Sequence, residues 1–244
     1  MGVDLASPAG QQSFTTLGNT SFVVPEGVSS ICAVAIGMGF HGGGALSYSN
    51  DIPVTAGETL TITLTNTSLG FTSLLRGATT LLRAQNGAVI TNNRVVSAGG
   101  KAENGVGNVR FSGGDSGLTS GTGSGSSGVG GGGGAAGYHS NGGAGGNGTS
   151  QSSGDTQTNG GGGGGVGLLG GASQTAPTGG GGGRVGEQGG IGAYGGANGV
   201  YRSHGGNFGG GSGTGASAPA HPVNGAVRII WGSGRSYPLN AGNV

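Results

Sequence analysis

The chain has 244 residues, of which 32% are hydrophobic and only 7% charged, and its formal net charge is +1. One lysine and eight arginines against eight acids give no cation cluster able to displace phosphate counterions, which excludes a nucleic-acid footprint and argues against an anionic membrane surface as partner. The single cysteine, Cys32, excludes an intrachain disulfide framework and a thiolate zinc site; in the apolar run SSICAVAIG it reads as a small buried hydrophobe.

The opening MGVDLASPAGQQS has no basic stretch followed by an apolar one, so no cleavable signal is expected there, and Ala6 breaks the myristoylation pattern. No run approaches the roughly 18 apolar residues that span a bilayer. Residues 14 to 36 hold two β-branched runs separated by Pro25-Glu26-Gly27. Proline presets its dihedral and glycine tolerates positive φ, so two strands joined by a turn are expected. In NDIPVTAGETLTITLTN, Leu60, Ile62 and Leu64 alternate with threonines, the period of a half-buried strand. The stretch TSLLRGATTLLRAQNGAVITNNRVVSAGG continues in the same style, with LLR repeated at 74 to 76 and 81 to 83. No helix of ordinary length is expected.

Fifty-one of the 68 glycines fall between Gly99 and Gly215. Ordering each residue costs about 1 to 2 kcal/mol of backbone entropy, and glycine loses the most. Composition alone therefore favours flexible disorder for this tract. An ordered tract would have to satisfy its backbone groups without a side-chain core. Collagen is rejected because proline is rare and no strict triplet period persists; silk-like stacking fits poorly with blocks such as VGGGGGAAG and NGGGGGGVG. Polyglycine II helices fit better: rods with three residues per turn that can bond side by side when no Cβ intervenes, joined by turns at the non-glycine interruptions.

After the tract comes VNGAVRIIWG, residues 223 to 232, which reads as an ordinary buried strand with Val227 and Ile229 on one face and Ile230 opposite. It is expected to return to the N-terminal region, with Trp231 filling the core near the ICAVAI strand, residues 31 to 36. The expected fold is thus all-β: a small antiparallel β-sandwich-like domain (1–98 plus 222–244) closed by the C-terminal strand, with an inserted bundle of polyglycine II helices at 99–221. Its core would comprise Ile31, Val34, Ile36, Leu60, Ile62, Leu64, Val227, Ile229 and Trp231.

Chemistry-bearing motifs are sparse. G-x-G-x-x-G matches are frequent in so much glycine, but none follows an expected strand and opens a helix, and GGGGGRVGEQ lacks the Gly-Lys-Ser/Thr of a phosphate loop. His41, His139, His204 and His221 stand far apart, so no metal is expected. No nucleophile elbow and no paired carboxylates stand out, and neither enzymatic activity nor a cofactor is expected. The sequons at Asn19, Asn66 and Asn147 read as coincidence in a Ser- and Thr-rich chain. What remains is the side chains between glycine blocks: Tyr138 and His139, Leu168 and Leu169, and the group Tyr194, Tyr201, Arg202, His204 and Phe208. Tyrosine and arginine dominate recognition surfaces, yet the same residues can bury themselves as caps on a glycine lattice.

The segments FVVPEGVSSICAVAIGMG and IPVTAGETLTITLT, the glycine-rich stretch and above all the closing GAVRIIWGSGRSYP together resemble the glycine-rich structural proteins of tailed bacteriophages, notably tail-fibre and adhesin proteins; similar endings occur in marine and cyanobacterial phage virion proteins. In T-even-like members a distal adhesin carries a polyglycine II body whose tip loops contact the host receptor. The resemblance implies a non-enzymatic virion protein exposed on the particle surface, with the turns at Tyr138, Tyr194 and Tyr201 to Phe208 facing a receptor. Implied partners are other virion proteins (fibre shaft, baseplate or capsid), a host outer-membrane protein or surface polysaccharide, and further copies of the chain, without nucleic acid. A capsid-decoration or head-fibre role is the alternative, and a polysaccharide lyase or hydrolase ranks last.

Overall fold

A computed structural model describes residues 9–89, 96–118, 130–148, 161–170, 178, 204–213 and 222–244. They form two antiparallel sheets. The five-stranded sheet has the order β1 (Gly10–Phe14), β9 (Ala226–Trp231), β3 (Ser30–Ile36), β4 (Leu46–Pro53), β8 (Val109–Phe111); the four-stranded sheet has the order β2 (Gly18–Val23), β5 (Thr59–Leu64), β6 (Phe71–Arg76), β7 (Thr79–Gln85). A single 3-10 turn at Ala102–Asn104 is the only helical element among the described residues.

Alternation decides which face each side chain takes. In β5 the residues Leu60, Ile62 and Leu64 are buried while the threonines between them are exposed or half-buried. They join Phe14, Phe22, Ile31, Ala33, Leu74, Leu82, Val227 and Ile229 in one cluster drawn from both sheets. The apolar runs of β3 and β9 have a different cause, because these central strands are covered on both faces. Cys32, Val34, Ile36 and Ile230 point away from the first cluster into a second, shared with Leu46, Tyr48, Tyr138, Val166 and Tyr237. Trp231 is only partly buried. It packs on the first cluster beside Phe22, and its indole covers Gly10 on the neighbouring strand, where an added Cβ would strike the ring.

The turn at Pro25-Glu26-Gly27, with Gly27 at φ 76°, does not close a hairpin: β2 and β3 belong to different sheets, and the turn carries the chain from one to the other. The C-terminal strand β9 lies between β1 and β3, with Gly10 opposite Trp231 and Cys32 opposite Ile230. Arg228, on the side of the second cluster, is buried to 1% exposure. Its guanidinium donates to the carbonyls of Leu168, Ala241 and Gly242 and to the side chains of Gln11 and Asn243, so it ties the last residues of the chain to the sheet.

The glycine-rich segments and the sheets interleave. Val109–Phe111, from within the tract, supplies β8, whereas His41 to Gly44, from the N-terminal region, hydrogen-bonds with the glycine segments. Gly131, Gly132 and Gly133 donate their N–H groups to Gly146, Gly161 and His41, and Gly134, Ala135 and Ala136 donate to Gly143, Gly164 and Gly44. Every third residue thus addresses the same neighbour, so one segment donates to three others around its circumference. The same step relates Gly142, Gly145 and Gly148 to Ser112, Asp115 and Leu118.

Candidate functional site: the two ends of the glycine layer

These hydrogen bonds fix directions. Segment 131–136 runs parallel to 161–164 and to 41–44, and antiparallel to 143–146 and 114–117. Because Gly44 leads directly into β4, the end of the layer at Ala136 meets the sheets. The opposite end is where the described segments stop at 118, 148 and 213 and start at 130 and 161. The layer therefore has a sheet end and a distal end.

Three turns lie at the sheet end. After Ala136 the chain turns at Tyr138–Ser140, with Gly137 donating its N–H to the Ser140 carbonyl. Tyr138 is buried to 2% exposure, its ring stacked on Tyr237 at 5.8 Å between centroids and 6.2 Å from Tyr48. Its hydroxyl donates to the Gly167 carbonyl at 2.9 Å, linking the first turn to the second. Burial, and then Tyr237, push the Tyr138 phenol well above its ordinary value; burial pushes Tyr237 up to about 12. Leu168 is half-buried against the same cluster and its carbonyl accepts from Arg228, while Leu169 is 47% exposed. Phe208, at φ 59°, packs partly on that cluster, and its carbonyl accepts from Val166.

The structure thus brings Tyr138, Leu168 and Phe208 together, and it does so as a lid over the interior. Tyr138 is buried there, while Leu168 and Phe208 are half-buried against the same cluster. His139 and Leu169 are exposed beside them. His204 is exposed and sits apart, next to Gly162 toward the distal end, where the chain then runs 204–207 alongside 162–165 before turning back at Phe208. Tyr194, Tyr201 and Arg202 lie outside the described residues.

His41 lies within the layer, 4% exposed, and burial pushes its imidazole down to about 4. Asn86 marks the seam with the four-stranded sheet. Completely buried, it accepts the Met38 N–H at 2.9 Å and donates to the carbonyls of Thr65 at 2.9 Å and Thr67 at 3.0 Å. Neither Asn86 nor Arg228 drew attention in the sequence, where each looks like an ordinary polar residue; a polar residue inside a glycine-bounded or apolar run is the signal that finds them.

Among the described residues no group of three or more His, Cys, Asp or Glu side chains is placed to hold a metal ion, and no helix is long and apolar enough to cross a membrane. Compared with protein-family models, curated proteins and solved structures, the chain finds no match.

Proposed function

We propose that the protein is a non-enzymatic virion adhesin of the tail-fibre or tail-tip type. The two sheets form a β-sandwich that docks to the particle, and the glycine layer is a polyglycine II bundle that holds recognition loops away from it. The observation that carries this reading is the three-residue hydrogen-bond step at 131–136, which matches three residues per turn and leaves every segment with a sheet end and a distal end. A stiff body built this way needs no side chains to set its length. At its distal end the described segments stop at 118, 148 and 213, and His204, just after Tyr201 and Arg202 in sequence, lies toward the same end. Those two residues, not the buried Tyr138, are the receptor contacts of this proposal.

The loops are tested by replacing Tyr201 and Arg202 together with alanine in the virus. Lost adsorption to host cells with normal particle yield is the expected result. Lost particle assembly instead would support the capsid-decoration or head-fibre role. The bundle is tested separately by hydrogen exchange: the amides of 131–136 should exchange as slowly as those of β3 and β9, and rapid exchange there would rule out the lattice.

A further inference from the structure

At the pole of the five-stranded sheet opposite the glycine layer, the start of β3, the end of β4 and the end of β9 converge around an open cleft of about 430 Å³. A bulge shapes its wall. Ile31 pairs with Ile52 and Ala33 with Ser49, so Cys32 alone faces both Asn50 and Asp51. The extra residue puts Asp51 at φ 55°, an uncommon conformation outside glycine, and bulges of this kind re-aim a side chain. Asn50 in turn clamps the opposite wall, donating to the Tyr237 carbonyl and accepting the Tyr237 N–H, both at 2.8 Å. The wall itself is the turn Gly232–Ser236, with Gly232 at φ 113° and Gly234 at φ 73°.

The lining includes one acid, Asp51, one base, Arg235, and the serines Ser29, Ser30, Ser233 and Ser236. Asp51 and Arg235 do not pair with each other. Arg235 donates to the Gly10 and Gly242 carbonyls and to Gln11 at 2.9 Å, and behind it the buried Arg228 likewise bonds only neutral oxygens. The two ion pairs found among the described residues, Arg76 with Glu58 and Lys101 with Asp115, involve neither. Of the five N–H donors of a guanidinium, Arg235 commits three to the protein.

We propose that this cleft binds a sugar ring carrying a carboxylate. Arg235 takes the carboxylate, a charge-assisted contact favoured by two neighbouring guanidiniums that have no acid partner among the described residues. Asp51 and the serines supply short, fixed acceptors and donors for ring hydroxyls, and the volume lies in the range of small-ligand sites. The described lining contains one carboxylate, whereas glycoside hydrolysis uses two flanking the scissile bond, so the role is binding. The site stands apart from the glycine turns and does not depend on the adhesin reading, whose test is cell adsorption.

The test is calorimetric or NMR titration of the full chain with glucuronate, glucose and inorganic phosphate. Saturable glucuronate binding is expected, at least tenfold tighter than that of glucose or phosphate. Asp51→Asn keeps a residue that tolerates positive φ, so it should melt like the parent and bind glucuronate several-fold more weakly; Arg235→Lys should remove the preference for glucuronate over glucose. Phosphate binding as tightly as glucuronate, glucose binding as tightly as glucuronate, no glucuronate binding at millimolar concentrations, or undiminished binding by Asp51→Asn would each overturn the proposal.

Discussion

The two sheets and the glycine layer solve the same problem with opposite means. Between the sheets, backbone groups are satisfied within each ladder, and stability comes from apolar side chains such as Phe22, Leu60, Ile62 and Ile229 leaving water. In the glycine layer there are almost no side chains to bury, and the backbone groups of each segment bond to neighbours on several sides. Close approach replaces hydrophobic bulk. An added Cβ on Gly43, Gly114, Gly133 or Gly163 would lie under 3.0 Å from a carbonyl oxygen of an adjacent segment, closer than real Cβ atoms come. One region is therefore sensitive to losing atoms and the other to gaining them.

The largest effect is expected where those sensitivities are exchanged. Gly163→Val places its Cβ against the carbonyl oxygen of Gly133, which is backbone and has nowhere to turn. Destabilisation of about 4 kcal/mol or more is expected, the size reserved for overpacking and backbone conflict. Thermal melting would show it, and an unchanged transition would mean that the segments are not in contact. The mirror change is Ile62→Ala in the fully buried face of β5, with an expected loss of about 3 kcal/mol from transfer and cavity terms, read as a lower denaturant midpoint.

A third change sharpens the difference through pH. His41 is a buried titratable group of the glycine layer, held neutral by desolvation with its imidazole near 4 rather than 6.5. A folded-state value depressed below the unfolded one means that unfolded chains bind the proton first as pH falls. Stability contributed by the neutral form is then fully present above about 6.5 and is lost down to about 4, by roughly 3 kcal/mol in all. The sheets alone would not show this profile. Unfolding midpoints measured from pH 7.5 to 4 should fall in the parent and fall less in His41→Gln.

How much of this was legible depends on how each region uses its side chains. Thr59–Leu64 is plain in the sequence because one face is wet and the other dry. Leu46–Pro53 is not: its first half is buried, yet it reads as polar because Ser47 and Ser49 spend their hydroxyls on the Arg83 carbonyl and on Asn108. Val109–Phe111 is too short for any period to appear. In the glycine tract the three-residue step is written only where a segment has an open side. Asn141-Gly-Gly-Ala144-Gly-Gly-Asn147 carries side chains at the exposed positions alone, whereas the all-glycine 130–134 and 161–165 are covered on every side and show no period at all. The turn residues were ambiguous for a chemical reason. An aromatic ring with a polar handle suits a receptor and suits the Tyr138–Tyr237 stack equally well.

Asn141 and Asn147 sit on the open side of their segment, but each side-chain oxygen accepts a backbone N–H of the next segment, from Ser112 at 2.9 Å and from Leu118 at 2.8 Å. They replace lattice bonds at the boundary, much as a cap does at a helix end. Asn147→Ala should cost about 1 kcal/mol, the net worth of one partly exposed hydrogen bond, and should speed exchange of the Leu118 amide. Ala144→Ser, at the equally exposed position between them, should change neither quantity. If instead Ala144→Ser destabilised as strongly as Asn147→Ala, the exposed row would be a packed face, and the rule linking glycine density to the number of covered sides would fail.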